Sequence, residues 1–293
     1  MEDIMKNVLE YLEQSAQKYP DKIAVKDTTC AYTYEQLQKK ARYIGSRLAK
    51  HTTPKHPVCV FADKSADTLA VLFGIVYAGC FYTLVDPSFP EARIQSMLSV
   101  LEPDVIVDGS NAPDKLAACG CTERVIRMET LVHGLKFECT NSEETDNVAQ
   151  AGTDGITGCV NQQKELCAVD EIDSDETGYA NPQAELSEIE NARLQEIRES
   201  MIDTDPLYCN FTSGSTGTPK GVLVAHRSVI EFIDQFTEIF DITKAEVIGN
   251  QAPFDFDVSV KDIYSAMKVG ATLVVIPKAY FMFPNSVVDM LDE

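Results

Sequence analysis

PVCVFADKSADTLAVLFGIVYAGCFYTLVDPSFPEARIQSMLSVL, residues 57–101, decides the fold. Pro57–Ala62 is a compact apolar run, too short for a helix and rich in Val and Phe, and predicts a buried strand. Ser65 then opens a helix that runs to Ala78, and Gly79 is a natural stop for it. Phe81–Val85, aromatic and β-branched, predicts the next strand, and Pro90–Leu101 a second helix with proline at its start. Thr68–Val85 is apolar and long enough to imitate a membrane span, but Gly79 divides it into a helix and a strand, so no membrane span is expected.

The same alternation extends in both directions. Upstream, Ile4, Val8, Leu12 and Ala16 recur at helical spacing, in an acidic opening segment unlike a secretion signal. Ile23–Val25 and Ala31–Thr33 read as short strands, followed by a helix whose apolar stripe is Leu37, Ala41, Ile44 and Leu48. Downstream, Asp104–Val107 is a further short strand. Strands alternating with helices of ten to fifteen residues predict an α/β fold, with mostly parallel sheets covered by helices.

With 293 residues, 44% of them apolar, the chain can bury a sizeable core. Its net charge of -21 argues against a nucleic-acid partner, which needs a basic face to displace counterions. Nine cysteines are scattered without C-x-x-C pairs, which fits a reduced, cytoplasmic setting. Cys119 and Cys121 stand too close to form a zinc knuckle alone, and no metal site is expected.

From about residue 134 to 200 the apolar periodicity fades and acidic and amide residues dominate. Residues 135–203 hold 17 acidic side chains against 4 basic ones, so the remainder of the chain is only mildly acidic. The pattern divides the chain into 1–133, an acidic insertion 134–200, and 201–293. Within the insertion, Ala184–Met201 has the spacing of a surface helix.

After the insertion comes PLYCNFTSGSTGTPKGVLVAHRSVIEFI, residues 206–233. An apolar strand ends at Thr212 and a second begins at Gly221, with a loop of Ser, Gly and Thr between them. Small residues let successive backbone N–H groups turn toward an anion, Thr212, Ser213, Ser215 and Thr216 offer hydroxyl donors, and Lys220 offers a positive charge. This chemistry cradles phosphate. It is not a Walker A loop, because Gly221 follows Lys220 where a Mg-binding Ser or Thr is required. An isolated GSTG reads first as an ordinary flexible turn.

The full TSGSTGTPKGV resembles the phosphate-loop signature of the adenylate-forming superfamily, which includes acyl-CoA synthetases, luciferases and the adenylation domains of peptide synthetases. YTYEQL (32–37), YAGCFYTLVDPSFPEARI (77–94) and FDVS (256–259) are similar to further motifs of that family, in the same order. IDTDPLYCNFTSGSTG (202–217) and FDFDVSVKDIYSAMKVGATLVVIPKAYFMFP (254–284) most resemble D-alanine:carrier-protein ligases and related adenylation domains. The resemblance covers about 1–133 and 200–293.

The resemblance implies ATP-dependent activation of a small amino acid as its aminoacyl-adenylate, then transfer to the phosphopantetheine arm of a carrier protein. Thr212, Ser213, Gly214, Ser215, Thr216, Gly217 and Lys220 would hold the phosphates of ATP, with Mg2+, and Asp257 the substrate's α-ammonium group. A carboxylate at the mouth of an apolar strand segment suits that role, against the alternative of a surface or capping aspartate. The family's adenine-contacting motif, ribose-binding acid and catalytic lysine have no match in this sequence, so no catalytic residue is assigned and activity of this polypeptide by itself is not expected. Asp255 and Asp262 flank Asp257 at a spacing that permits a paired-carboxylate site. His226 reads as a packed structural histidine rather than a base. Two other readings stay open: a non-catalytic scaffold displaying the acidic insertion, and an acyl-CoA synthetase, whose substrate has no ammonium for Asp257.

Overall fold

The computed structural model describes residues 5–120, 124–133, 186–212, 219–282, 285, 287 and 288. Helix α1 (Leu9–Lys18) opens the chain, followed by strands β1 (Ile23–Lys26) and β2 (Ala31–Thr33). Helix α2 (Tyr34–Leu48) begins at a capping box, in which the Thr33 hydroxyl accepts from the Gln36 amide and the Gln36 side chain accepts from the Thr33 amide. Then come β3 (Pro57–Phe61), α3 (Ala66–Tyr77), β4 (Phe81–Val85), α4 (Glu91–Leu101) and β5 (Val105–Asp108). Short elements α5 (Pro113–Ala118), β6 (Val125–Arg127) and α6 (Met128–Val132) complete this part. Beyond lie α7 (Glu188–Ser200), β7 (Pro206–Thr212), β8 (Lys220–Ala225), α8 (His226–Ile239), β9 (Val247–Asn250), α9 (Val258–Val269) and β10 (Thr272–Val275).

Residues 57–101 fold as their pattern dictates. Ser65 caps α3 by accepting from the Thr68 amide, and Gly79 takes φ +74 just past the helix end, a conformation that favours glycine. All residues of α3 but Asp67 are buried, which explains its near-continuous apolar sequence. No helix among the described residues is long and apolar enough to cross a membrane.

Two sheets form, in the orders β6-β5-β3-β4-β7-β8 and β2-β1-β10-β9. Among the described residues only β8 and β2 run antiparallel to their neighbours. The second sheet joins the beginning and end of the described chain, since β1 pairs with β10 through Val25↔Leu273 and Lys26↔Val274. Helices α2 and α3 pack closely because Gly45 faces Tyr77 and Gly74 faces Ile44; a Cβ on Gly74 would lie 2.5 Å from Ile44 Cγ2.

Helix α7 is the one expected near the end of the acidic stretch, starting four residues later than its periodicity suggested because Ser187 forms the capping box with Glu190. It buries Leu194, packs the half-buried Ile197 against the core, and is tied to α1 and α2 by polar contacts. Arg42 donates to Asn191 (2.9 Å), Arg47 pairs with Glu190 (3.5 Å), and Arg198 with Glu10 (3.4 Å) and Glu13 (3.3 Å).

Candidate functional site

In parallel sheets, ligands are received outside the carboxyl ends of the strands. Here the carboxyl ends of β3, β4, β5 and β7 lie along one edge of the larger sheet, and those of β9 and β10 along one edge of the smaller. Side chains cross from one edge to the other. Lys64, just after β3, reaches Asn250 at the end of β9, and Lys278, after β10, pairs with Asp86 after β4 and with Asp63 (3.6 Å).

Thr212 ends β7 and Lys220 begins β8. They stand opposite each other in the antiparallel register, with the Thr212 hydroxyl donating to the Lys220 carbonyl at 3.4 Å. Both side chains are exposed. The expected strand boundary at Gly221 thus moves one residue earlier. Ser213, Gly214, Ser215, Thr216 and Gly217 lie outside the described residues; they connect these two flanks.

Beside the hairpin is a cleft of about 350 Å³. Its walls are Tyr208 of β7, Val224 of β8, Ser228, Val229 and Phe232 of α8, and Val258, Val260 and Lys261 of α9, with Asp257 among them. The lining is mainly apolar, as ligand clefts usually are, with few polar groups to fix orientation. Tyr208 stacks on Tyr82 with ring centroids 5.9 Å apart, which anchors that wall to the core. Burial, and then the nearby Asp257 charge, push the Tyr208 phenol up to about 12, so it stays a neutral donor.

Asp257 is not at the mouth of a strand, as its apolar surroundings suggested. It occupies the N-cap position of α9, yet with φ -58 and ψ -27 its backbone is already helical and its side chain makes no capping bond. Its side chain is exposed and has no hydrogen-bond or ion-pair partner among the described residues. Lys261, one turn further along α9, turns instead to Asp262 (2.8 Å). Asp257 therefore faces the cleft as an uncompensated carboxylate.

The structure does not form the carboxylate pair that spacing permitted. Asp262 is committed to Lys261 and accepts from Asn250 Nδ2 at 3.1 Å. Asp255 faces the other way: burial raises its carboxyl above the usual range, Lys278 opposes that rise and Asp86 adds to it. Burial also pushes Asp86 up, but the Lys278 ammonium and the Ser88 hydrogen bonds outweigh it and hold Asp86 low. His226 is fully buried, with Nδ1 accepting from the Val8 amide at 3.4 Å, so it is closed off from the cleft. Burial lowers its imidazole to about 4, with Asp205 opposing and Arg198 assisting.

Sequence reasoning singled out neither Lys64 nor Lys278. A lysine directly after an apolar strand, as in FADKS, is the signal that was available for the first, because strand ends in this fold gather at the ligand edge.

The D-alanine--D-alanyl carrier protein ligase of Staphylococcus aureus (strain JH9) is 26% identical over 288 residues, covering 98% of this chain and 46% of that protein. Cyclosporin synthetase simA of Tolypocladium inflatum is 28% identical over 272 residues, covering 92% of this chain and 1% of that protein. The chain therefore spans less than half the length of these curated relatives. Among solved structures, the nonribosomal peptide synthetase FmoA3 (S1046A) in its AMPPNP-bound form superimposes with a TM-score of 0.64 at 23% identity, over 94% of this chain and 23% of that one. The family described as AMP-binding enzyme matches residues 12–293. This chain belongs to the AMP-binding enzyme family.

Proposed function

We propose that this chain provides the amino-acid and triphosphate surfaces for ATP-dependent formation of an aminoacyl-adenylate, whose acyl group then passes to a carrier-protein phosphopantetheine thiol. The observation that carries the reading is Asp257: an exposed carboxylate on an apolar cleft, without a cation of its own among the described residues. Such a group pairs with an α-ammonium through charge-assisted hydrogen bonds, while the apolar walls accept the side chain. A fatty acid would leave this carboxylate unpaired, which favours an amino acid over a plain acyl substrate.

The residues described at the phosphate loop suit a triphosphate. Thr212 and Lys220 put a hydroxyl and an ammonium on the ligand edge of the sheet, and the intervening Ser213, Gly214, Ser215, Thr216 and Gly217 have the donors and small size to wrap an anion. Among the described residues no group of three or more His, Cys, Asp or Glu could hold a metal ion. Mg2+ would be bound mainly through the triphosphate oxygens and water, its usual preference. When bound, it would neutralise charge on the departing pyrophosphate.

In the reaction, a carboxylate oxygen of the amino acid bonds to the α-phosphorus, and the bond to the pyrophosphate oxygen breaks with its electron pair. This chain's part is positional and electrostatic: Asp257 orients the amino acid, and the loop with Lys220 receives the negative charge of the leaving group. The restriction to a small amino acid rests on the D-alanine relative. At about 350 Å³ the cleft itself leaves room for larger side chains.

The test is amino-acid-dependent exchange of labelled pyrophosphate into ATP, for this chain alone and joined to the remaining portion of a D-alanine ligase. Exchange in the joined protein that depends on Asp257 is the expected result. No exchange in either, with no ATP binding, overturns the reading in favour of a scaffold.

A further inference from the structure

Lys64 lies in the turn between β3 and α3, in the larger sheet, yet its bonds are made to the smaller one. It is only 8% exposed. Its Nζ donates to the carbonyl oxygens of Asn250 (2.9 Å), Gln251 (2.8 Å) and Ala252 (3.3 Å), and to Asn250 Oδ1 (3.1 Å). All four acceptors belong to the three residues that leave β9 and lead toward Asp257. Asn250, itself fully buried, carries the linkage on, because its Nδ2 donates to Asp262 on α9. The Phe281 ring stands 5.9 Å from Nζ and helps to cover it.

Chain leaving a strand end has carbonyls with no ladder partner, and such groups are costly to bury unpaired. One ammonium collects two of them here, those of Gln251 and Ala252, together with the Asn250 carbonyl, which also accepts from the Ile276 amide at 3.3 Å. We propose that Lys64 is a positioning residue of the amino-acid cleft: by holding residues 250–252 it fixes where Asp257 presents its carboxylate. This rests on the reading of Asp257 as the ammonium-binding group.

The hold depends on charge, since an ammonium has three protons to donate and a neutral amine only two, on a weaker donor. The charged groups that face Lys64 are Lys278, after β10, and Asp262 on α9; Asp63, on its own turn, pairs with Lys278. Burial first and then Lys278, with Asp262 opposing both, bring the Lys64 ammonium down to about 8. The segment leading to Asp257 is therefore set to loosen in mildly alkaline solution.

The experiment is amide hydrogen exchange on the whole chain for wild type, Lys64→Met and Lys64→Arg, with alanine and ATP binding measured on the same samples. Loss of a charged hydrogen bond of this kind is worth about tenfold in a local equilibrium. Lys64→Met should lose about tenfold protection over residues 250–257 while the β3–β5 core is unchanged, and Lys64→Arg should restore most of it. Alanine affinity should fall by a similar factor, with ATP affinity unmoved. Unchanged protection at 250–257 in Lys64→Met overturns the proposal. If that variant does not fold, the wild type decides: selective loss of protection at 250–257 as pH rises through about 8 supports the proposal, and a flat profile overturns it. Asp257→Ala separates the two readings. It should weaken alanine binding about tenfold with residues 250–252 still protected; if wild type and Asp257→Ala bind alanine equally, the Asp257 reading fails while the exchange data still judge Lys64.

Discussion

Tyr34→Phe removes one oxygen atom from the centre of the molecule. Tyr34, the first residue of α2, is fully buried, and its hydroxyl lies 2.8 Å from the Ala266 carbonyl and 2.6 Å from the Ala271 carbonyl. It pins the end of α9 and the start of β10 to α2. One proton serves both oxygens. The Ala266 oxygen also accepts from the Gly270 and Ala271 amides, at 3.0 Å each, so the variant chiefly deprives Ala271. Losing a neutral buried bond and leaving one acceptor short costs about 1–2 kcal/mol. For a protein of this size that lowers the melting temperature by about 2–8 °C. Urea unfolding followed by circular dichroism should show a lower midpoint at unchanged slope, because the native fold and its buried area are retained. Burial holds the phenol far above its usual range, so the deficit should be constant from pH 6 to 9. A midpoint equal to wild type, or a higher one, refutes the claim that this hydroxyl ties α2 to α9.

Gly74→Ala should destabilise by about 1–2 kcal/mol in urea unfolding: overpacking against Ile44 at 2.5 Å exceeds the gain of about 1 kcal/mol from better helix propensity. A stabilised variant would mean that the α2–α3 contact is looser than described. His226 gives a pH signature. Its folded-state value of about 4 lies below the ordinary 6.5, so between those values the unfolded chain binds more protons, and stability falls as pH drops through that window. The contribution lost by pH 4.5 is about 2–3 kcal/mol. His226→Gln should show a correspondingly shallower acid limb between pH 6.5 and 4.5; a limb parallel to wild type would show that His226 does not titrate in this way.

What the sequence disclosed was local. The stripe Leu37, Ala41, Ile44, Leu48 and the apolar runs 57–61 and 81–85 specify their elements within a few residues, because burial on one helix face or in a parallel sheet imposes its own period. Pairings across the chain leave no such trace. Nothing near Val25 indicates Leu273 as its neighbour, and nothing near Lys64 indicates Asn250. Asp257 was misplaced for a physical reason. FDFDV alternates as a half-buried strand does, but only Phe254 is buried there, while Phe256 (56% exposed) and Val258 (51%) face out at a helix start. Of the loop read as a phosphate cradle, the hairpin flanks Thr212 and Lys220 fell within one residue of expectation, and residues 213–217 lie outside the described residues.

The central claim is that Asp257 receives the α-ammonium of an amino acid. The most direct test compares alanine with lactate, its hydroxy-acid counterpart, by titration calorimetry or ligand-observed NMR on wild type and Asp257→Asn. An ammonium–carboxylate pair at an exposed rim is worth about tenfold in affinity. The account predicts that wild type prefers alanine by at least about that factor, and that Asp257→Asn loses the preference while ATP binding is unchanged. Equal binding of alanine and lactate by wild type, or an alanine preference that survives in Asp257→Asn, would contradict it.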